Sequence, residues 1–416
     1  MVVILAGITM VGPFTVDAIF PAFEVMGRDL RVDQVAMQQT LSIYLITFAV
    51  ASLFHGSISD AVGRKPVIVI GSVLYAAASV LCALASTMPL LLGARAMQGL
   101  VAGAGLIVAR TVVRDLYEGV LAQRFMSNMT MVFAVAPALA PIVGGWILGW
   151  GSWHTIFWVL AGYGIASAVV ALLLLPETHP AADRVAFHPR PLIASFLGAA
   201  KDPGVLRLSA AIACNFAALF LYISSAPAII VEHLGLGAQD FAVLFVPLVV
   251  TMMLGSFLAG RLVGRVRPGA VVLTGFVVAL GGAVFAIVYQ MTAVSPDAPW
   301  TVLPAATTSL GVALVLPILT ISLLDLRPRE RGAVSSFQAF LSTVFNALVA
   351  GVVSPLVSGS LAVLGLTAGL FTLAALLLWW WHRSLHRREQ RRLAAREAQQ
   401  VGSSIEPPIQ SPTDLH

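Results

Sequence analysis

Long apolar stretches fill most of this chain of 416 residues. A spanning helix needs about 20 mostly apolar residues. Twelve stretches meet that length: 2–25, 37–55, 66–87, 89–112, 124–149, 153–175, 205–230, 239–261, 269–291, 300–323, 333–357 and 361–381. They are too long and too uniformly apolar for barrel strands, and a helix bonds its backbone within its own segment. The pattern therefore predicts an all-α membrane protein with twelve transmembrane helices.

Composition supports lipid as the solvent of this chain. Only 10% of the residues are charged and the mean hydropathy is +0.93, whereas soluble domains carry roughly 25% charged residues. The sequence contains no Walker loop, no Cys/His metal pattern and no nucleophile motif of the G-x-S-x-G kind. We therefore predict no enzymatic activity, no metal, no cofactor and no nucleic-acid partner.

The basic residues lie unevenly along the chain, whose net charge is +5. Arg28 and Arg31 fall in the first loop, Arg95 lies inside an apolar stretch, and the other Lys and Arg flank the stretches on the opposite side. The positive-inside rule makes that opposite side cytoplasmic. With an even number of helices, both termini are predicted to be cytoplasmic.

The longest polar interruption before the tail divides the chain into two halves. We predict a six-helix bundle over 1–175, a cytoplasmic linker over 176–204 and a second six-helix bundle over 205–381. A basic tail over 382–416 follows, which begins as a helical stretch near the lipid and is disordered at its end. Glu177 is expected to cap a helix end at the linker. A short internal sequence repeat, the sequence echo, supports the division: DAVGR at 60–64 resembles RLVGR at 261–265. Two such bundles around a central cavity are the usual plan of alternating-access transporters.

The segment GSISDAVGRKP at 56–66 is the strongest local motif. A tight turn would use Gly56 and Gly63 for close approach or unusual backbone angles, and Asp60 could pair with a nearby Arg or face a helix N-terminus. The segment resembles the G-x-x-x-D-x-x-G-R-[RK] signature of the major facilitator superfamily. The resemblance implies that this loop, with Arg64 and Lys65, gates the transporter by latching its two halves.

Two opposite charges lie inside apolar stretches, Asp17 and Arg95. Each lies about seven residues from the same membrane side, so both should lie about 10 Å deep. Burial disfavours a charged carboxylate, whereas a nearby guanidinium favours it. A direct pair of these residues could therefore take and release a proton; the alternative is a static pair that only fixes packing.

The stretch from Arg95 through Gln98 and Gly99 resembles the R-x-x-Q-G motif of the fourth helix in proton-coupled members of that superfamily. Gly99 and Gly103 also form a small-residue patch that favours close helix packing. In the fifth stretch, Pro141, Gly144 and Gly145 match the antiporter motif of drug exporters. Alanines 136 and 140 stand where that motif has glycine, which keeps the packing role but weakens the motif as proof of antiport.

Three further stretches, at 108–117, 175–178 and 222–227, resemble the Bcr/CflA subgroup of drug:proton antiporters. The resemblance implies a monomeric, proton-coupled exporter of small, mostly apolar compounds in a bacterial inner membrane. Uptake by proton symport, and a non-transporting receptor or scaffold, remain alternatives. Polar residues that could line a substrate cavity, or instead bond between helices, are Tyr44, Asn128, Asn215, Tyr222 and Gln338.

Overall fold

A computed structural model describes the backbone of residues 2–262, 264–292 and 296–404. Side chains are described up to residue 385, except at 2–3 and at a set of positions between 119 and 138. Throughout this described part the regular secondary structure is helical. The cavity candidate Asn128 is among the residues whose side chains lie outside the description.

Six long helices precede the linker. The first, α1, ends at an acidic residue and continues through a 3-10 turn, Phe20–Ala22, into a short helix, Phe23–Leu30. The six are α1 (Val2–Asp17), α2 (Gln34–Val62), α3 (Arg64–Ala83), α4 (Met88–Leu116), α5 (Gly119–Trp150) and α6 (Trp153–Leu174). A linker helix, Pro189–Lys201, follows.

Six more helices follow the linker helix. They are α7 (Pro203–Ser224), α8 (Ala242–Leu262), α9 (Pro268–Thr292), α10 (Ala298–Leu324), α11 (Arg331–Leu348) and α12 (Leu361–Ser404). Two of them are extended by wide π-helical turns: Ala228–His233 follows α7, and Val349–Val353 continues α11 into a last turn, Ser354–Val357.

Eleven helices of the described chain are long and apolar enough to span a membrane, and α5 adds a shorter apolar run, Val135–Trp150. The prediction of an all-α protein with twelve membrane helices is thus confirmed. The last helix continues beyond its apolar stretch, through the basic segment that was predicted to be helical, to Ser404. This segment consists largely of Arg, Ala, Glu and Gln, which are good helix formers. The tail's end beyond 404, where disorder is predicted, lies outside the described residues.

Polar caps fix several helix starts. The carboxylate of Asp33 accepts from the amide of Ala36 at 2.8 Å at the start of α2. Asp202 accepts from the amides of Gly204 and Val205 at the start of α7. Such caps satisfy amides that have no partner within their own helix.

Helix packing repeats between the two halves. In the first half α2 packs on α4, α3 on α6 and α1 on α5; in the second half α8 packs on α10, α9 on α12 and α7 on α11. Adding six to each helix number converts one set into the other. The glycines of the sequence echo also match, since Gly63 has φ 111° and Gly264 has φ 76°. Across the halves α2 contacts α11 and α5 contacts α8.

The loops distinguish two sides of the bundle. The linker side carries the α2–α3 turn, residues 175–202 and the start of the helical tail. The far side carries the α1–α2 loop, the α3–α4 loop and the turns that follow α7. The boundaries of the two predicted bundles remain predictions.

Candidate functional site

The guanidinium of Arg95 is fully buried among neutral groups. Its Nε donates to the Thr40 carbonyl at 3.2 Å, and its Nη1 donates to Gln98 Oε1 at 2.9 Å and to the Thr15 carbonyl at 3.4 Å. Its Cζ lies 4.6 Å from the ring centroid of Tyr44. The remaining nitrogen, Nη2, is buried and bonds no described group. The guanidinium therefore has a free donor and no anionic partner within the described side chains.

A hydrogen-bonded chain extends from this guanidinium through the first half. Gln98 Nε2 donates to Ser79 Oγ at 2.7 Å, and Ser79 Oγ donates to the Tyr75 carbonyl at 2.8 Å. The hydroxyls of Tyr75 and Thr15 bond each other. Helices α1 to α4 are thereby joined around Arg95. The motif pointed to Gln98, but it carried no signal for Thr15, Ser79 or Tyr75.

Asp17 is the last residue of α1 and is 4% exposed. Its carboxyl makes no hydrogen bond or ion pair with a described residue, so the predicted direct pair with Arg95 is wrong for this conformation. The reason lies in the end of α1. Thr15 is among its last four residues, whose carbonyls lack an intrahelical donor, and Arg95 bonds that carbonyl instead. The phenol of Tyr44 donates to the Gly12 carbonyl of α1 at 3.2 Å.

Close packing of α2 on α4 depends on small residues, as predicted. A Cβ at Gly99 would lie 2.1 Å from Thr47 Oγ1 and 2.3 Å from the Tyr44 carbonyl oxygen. A Cβ at Gly103 would lie 3.0 Å from His55 Nδ1. These approaches bring the ring of Tyr44 against Arg95.

The consecutive glycines of the fifth-helix motif face different neighbours. A Cβ at Gly144 would lie 2.0 Å from the carbonyl oxygen of Ala18, in the turn directly after Asp17. A Cβ at Gly145 would lie 2.1 Å from the carbonyl oxygen of Ala238, between α7 and α8 of the second half. Pro141 lies one turn earlier, inside α5. The motif therefore contacts both the turn that follows Asp17 and the α7–α8 segment of the second half.

The α2–α3 turn is held by Arg64, which is 5% exposed. Its Nη1 pairs with Asp60 and donates to Ser59 Oγ at 2.7 Å, and its Nε donates to Asp115 Oδ2 at 3.1 Å. Gly63 supplies the positive φ that this turn requires. Every partner of the guanidinium lies in the first half.

The linker closes over the same turn. Glu177 Oε1 accepts from the amide of Arg64, the first residue of α3, at 3.0 Å, which confirms the expected helix cap. The amide of Val185 donates to the Asp60 carbonyl at 3.3 Å. In the described part of the chain, none of these bonds reaches the second half.

Two members of the predicted gating loop lack the expected contacts. Gly56 lies within α2, where a Cβ would meet nothing within 4 Å, so the prediction that the turn needs a glycine there is wrong. The turn begins only at Gly63, so Gly56 is one more residue of a regular helix. Lys65 makes no ion pair with a described residue.

On the far side, α2 donates three side-chain hydrogen bonds to backbone carbonyls of the second half. These bonds, which we call the far-side interface, are Gln38 Nε2 to Ser224 O (2.8 Å), Gln39 Nε2 to Gly351 O (2.9 Å) and Ser42 Oγ to Ala347 O (2.7 Å). The accepting carbonyls lie where α7 ends and around the π-helical turn of α11, where the regular helical bonding pattern is broken. The two halves are thus joined on the far side.

The family model of the Major Facilitator Superfamily matches residues 5–350. The chain belongs to the major facilitator superfamily. It is accordingly a multi-pass membrane transporter for small molecules and not an enzyme. The predicted recognition of this family is confirmed.

Relatives of this superfamily member carry drug-resistance names. The chain is 30% identical over 259 residues to a bicyclomycin resistance protein homolog of Haemophilus influenzae, covering 62% of this chain and 65% of that protein. It is 29% identical over 283 residues to the multidrug resistance protein MdtL of Escherichia coli, covering 68% and 71%.

Two solved structures share the fold. A bacterial homolog of the human lysosomal transporter Spinster, in an inward-facing and occupied conformation, matches with a TM-score of 0.71 at 16% identity, covering 93% of this chain and 96% of that one. The human organic anion transporter MFSD10 (TETRAN) matches with a TM-score of 0.63 at 18% identity, covering 91% and 98%.

The other cavity candidates of this transporter are dispersed. Asn215 Nδ2 contacts the Val312 carbonyl at 3.5 Å, and Tyr222 is buried in the second half. Gln338 Nε2 donates to Ser342 Oγ at 2.9 Å within α11. Of the described candidates, Tyr44 is the one that contacts Arg95.

Proposed function

We propose that this transporter exports small, mostly apolar drugs or toxic compounds across a bacterial inner membrane in exchange for protons. It would act as a monomer by alternating access, with the linker side and both termini in the cytoplasm. The names of the relatives support a drug as cargo, and the excess of Lys and Arg on the linker side supports the orientation.

The observation that carries the proposal is a pair of unmatched groups in the first half. Among the described residues, the carboxyl of Asp17 has no hydrogen-bond partner and Nη2 of Arg95 has no acceptor. An ionised carboxylate buried without a partner costs several kcal/mol. We infer that Asp17 holds a proton while the far side is closed, and that the deprotonated carboxylate turns to Arg95.

The α5 glycines offer a route from this proton to the two halves. Movement of Asp17 displaces the turn at Ala18, which Gly144 contacts. The next residue, Gly145, contacts Ala238 of the second half. A change of protonation can thereby loosen or tighten the contact of α5 with the α7–α8 segment. Cargo that reaches the cavity from the linker side would favour release of the proton there.

Efflux in inverted vesicles tests this function. A dye panel is added with and without an imposed pH gradient, for the wild type, for Asp17→Asn, and for Asp183→Asn as an exposed-carboxylate control. We expect some dyes to dissipate the gradient in the wild type and the control but not in Asp17→Asn. Proton-driven efflux at the wild-type rate in Asp17→Asn would remove Asp17 as the carrier. Protons and dye moving in the same direction would instead identify a symporter.

A further inference from the structure

A cleft of about 310 Å³ opens on the far side, and neither Asp17 nor Arg95 is among its lining residues. One wall comes from the first half: the turn after α1, the short helix that follows it and the start of α2. The other wall comes from the second half, from Pro227 and from Val231 and Glu232 in the π-helical turn that begins directly after it. The cleft therefore exists only while the two halves touch on this side.

The floor of the cleft is apolar and aromatic. Phe20, Phe23 and Met37 line it and are buried. The ring centroids of Phe20 and Phe23 lie 5.5 Å apart at an interplanar angle of 58°. Such surfaces bind apolar molecules, and aromatic faces attract organic cations.

The rim carries three carboxylates and two guanidinium groups: Glu24, Asp33, Glu232, Arg28 and Arg31. Arg28 faces Glu24 at 3.6 Å, and Asp33 is held by its capping bond to α2. Glu232, on the wall from the second half, is exposed and pairs with no described residue. The rim has an excess of one negative charge, which favours a cation over an anion.

We propose that this cleft binds a small apolar organic monocation, and that a bound cation holds the far side closed. The site is distinct from Asp17 and Arg95. The proposal that a cation binds depends only on the cleft. The proposal that the cation holds the far side closed rests on the proposed alternating access, because separation of the halves takes Val231 and Glu232 away from Phe20 and Phe23.

Direct binding tests the site. Full-length protein in lipid nanodiscs is dialysed against tetraphenylphosphonium or tetraphenylborate, which share a shape and differ in the sign of their charge. We expect the phosphonium to bind more tightly. Glu232→Gln should weaken it about two- to fivefold, the range of an exposed ion pair, and Val231→Phe, which fills the cleft, should weaken it further. Asp183→Asn serves as the charge-matched control.

Binding at the central site must be told apart from binding in the cleft. Cation binding that persists in Asp17→Asn and weakens in Val231→Phe belongs to the cleft. Equal binding of the two ions, or binding that neither Glu232→Gln nor Val231→Phe changes, would overturn the site.

The closing effect is measured by thiol accessibility. Ala350 is fully buried beside the far-side interface, so Ala350→Cys, in a protein lacking Cys82 and Cys214, should react with maleimide only when the far side opens. Saturating phosphonium is expected to slow this reaction. Binding without slower labelling overturns the closing effect. If the labelling rate changes with pH but the phosphonium does not bind, the proposed cation site is overturned and the proposed proton-coupled function is not.

Discussion

Replacing Gly145 with alanine should open the far side of the transporter. The new Cβ would lie 2.1 Å from the carbonyl oxygen of Ala238 and 3.1 Å from its carbonyl carbon. Both atoms are backbone, so no side chain can rotate away, and α5 must separate from the α7–α8 segment by about 1 Å to restore ordinary contact.

The change in the closed-to-open ratio depends on which conformation contains the clash between the new Cβ and Ala238. Overpacking of this kind costs about 1–3 kcal/mol. Gly145 and Ala238 belong to different halves, so the cost falls on the far-side-closed conformation and not on the open one. The closed-to-open ratio should therefore fall about five- to 150-fold.

Maleimide labelling of Ala350→Cys in the cysteine-free protein measures that ratio, and Gly145→Ala should label faster. Gly162→Ala is the matched control, because a Cβ there meets nothing within 4 Å. Gly144→Ala clashes within the first half, against Ala18, and should lower the midpoint of thermal unfolding more than it speeds labelling. Labelling of Gly145→Ala at the rate of the Gly162→Ala control would refute the argument.

Three other substitutions test single contacts. Tyr44→Leu removes the ring beneath Arg95 and should lower the midpoint of thermal unfolding, at a cost of about 1–2 kcal/mol, whereas Tyr44→Phe keeps the ring and should cost less; equal losses would argue against the ring contact. Gln38→Leu removes one bond of the far-side interface and should speed thiol labelling about two- to tenfold; an unchanged rate would contradict this. Burial raises the pKa of Asp202, but hydrogen bonds from the first amides of α7 and from Arg327 outweigh it and hold the pKa below its usual 3.8. A carboxylate with a lowered pKa stabilises the fold above its usual pKa and loses that effect as the pH falls through the folded value. Asp202→Asn should therefore flatten the acid-side fall of the unfolding midpoint below about pH 4, and an unchanged pH profile would contradict the cause.

The helices could be predicted from the sequence because lipid leaves the backbone few options. A segment without water must bond to itself, so apolar length alone located twelve helices. The small residues at Gly99 and Gly103 likewise predicted a close helix pair, and the structure has α2 there. The echo at 60–64 and 261–265 predicted corresponding loops, and both glycines adopt positive φ.

The partners of the buried charges could not be predicted in the same way. Arg95 bonds the carbonyls of Thr15 and Thr40, and every residue has a carbonyl, so no residue type marks those positions. Asp17 is buried, as its place inside an apolar stretch indicated. Depth could not show that α1 ends there and offers Arg95 a free carbonyl instead of the carboxylate.

The far-side interface could not be predicted from the sequence for a related reason. Its acceptors are carbonyls at the end of α7 and around the π-helical turn of α11, and the apolar pattern does not mark either break. The α5 glycines were noted as a motif, but their separate neighbours, Ala18 and Ala238, come from contacts made only in the folded chain.

The conformations of such a transporter need to differ by only a small free energy for one proton to decide between them. The three bonds of the far-side interface contribute about 1 kcal/mol each. On the linker side, Arg64 is already paired with Asp60 and Asp115 inside the first half, so closing that side gains little from this guanidinium. Reversing a 1:99 population requires about 5.5 kcal/mol. Uncovering or pairing one buried carboxylate is worth several kcal/mol. The free-energy change on ionising Asp17 is therefore large enough to outweigh the three far-side hydrogen bonds. Ionisation of an exposed carboxylate such as Asp183 is not.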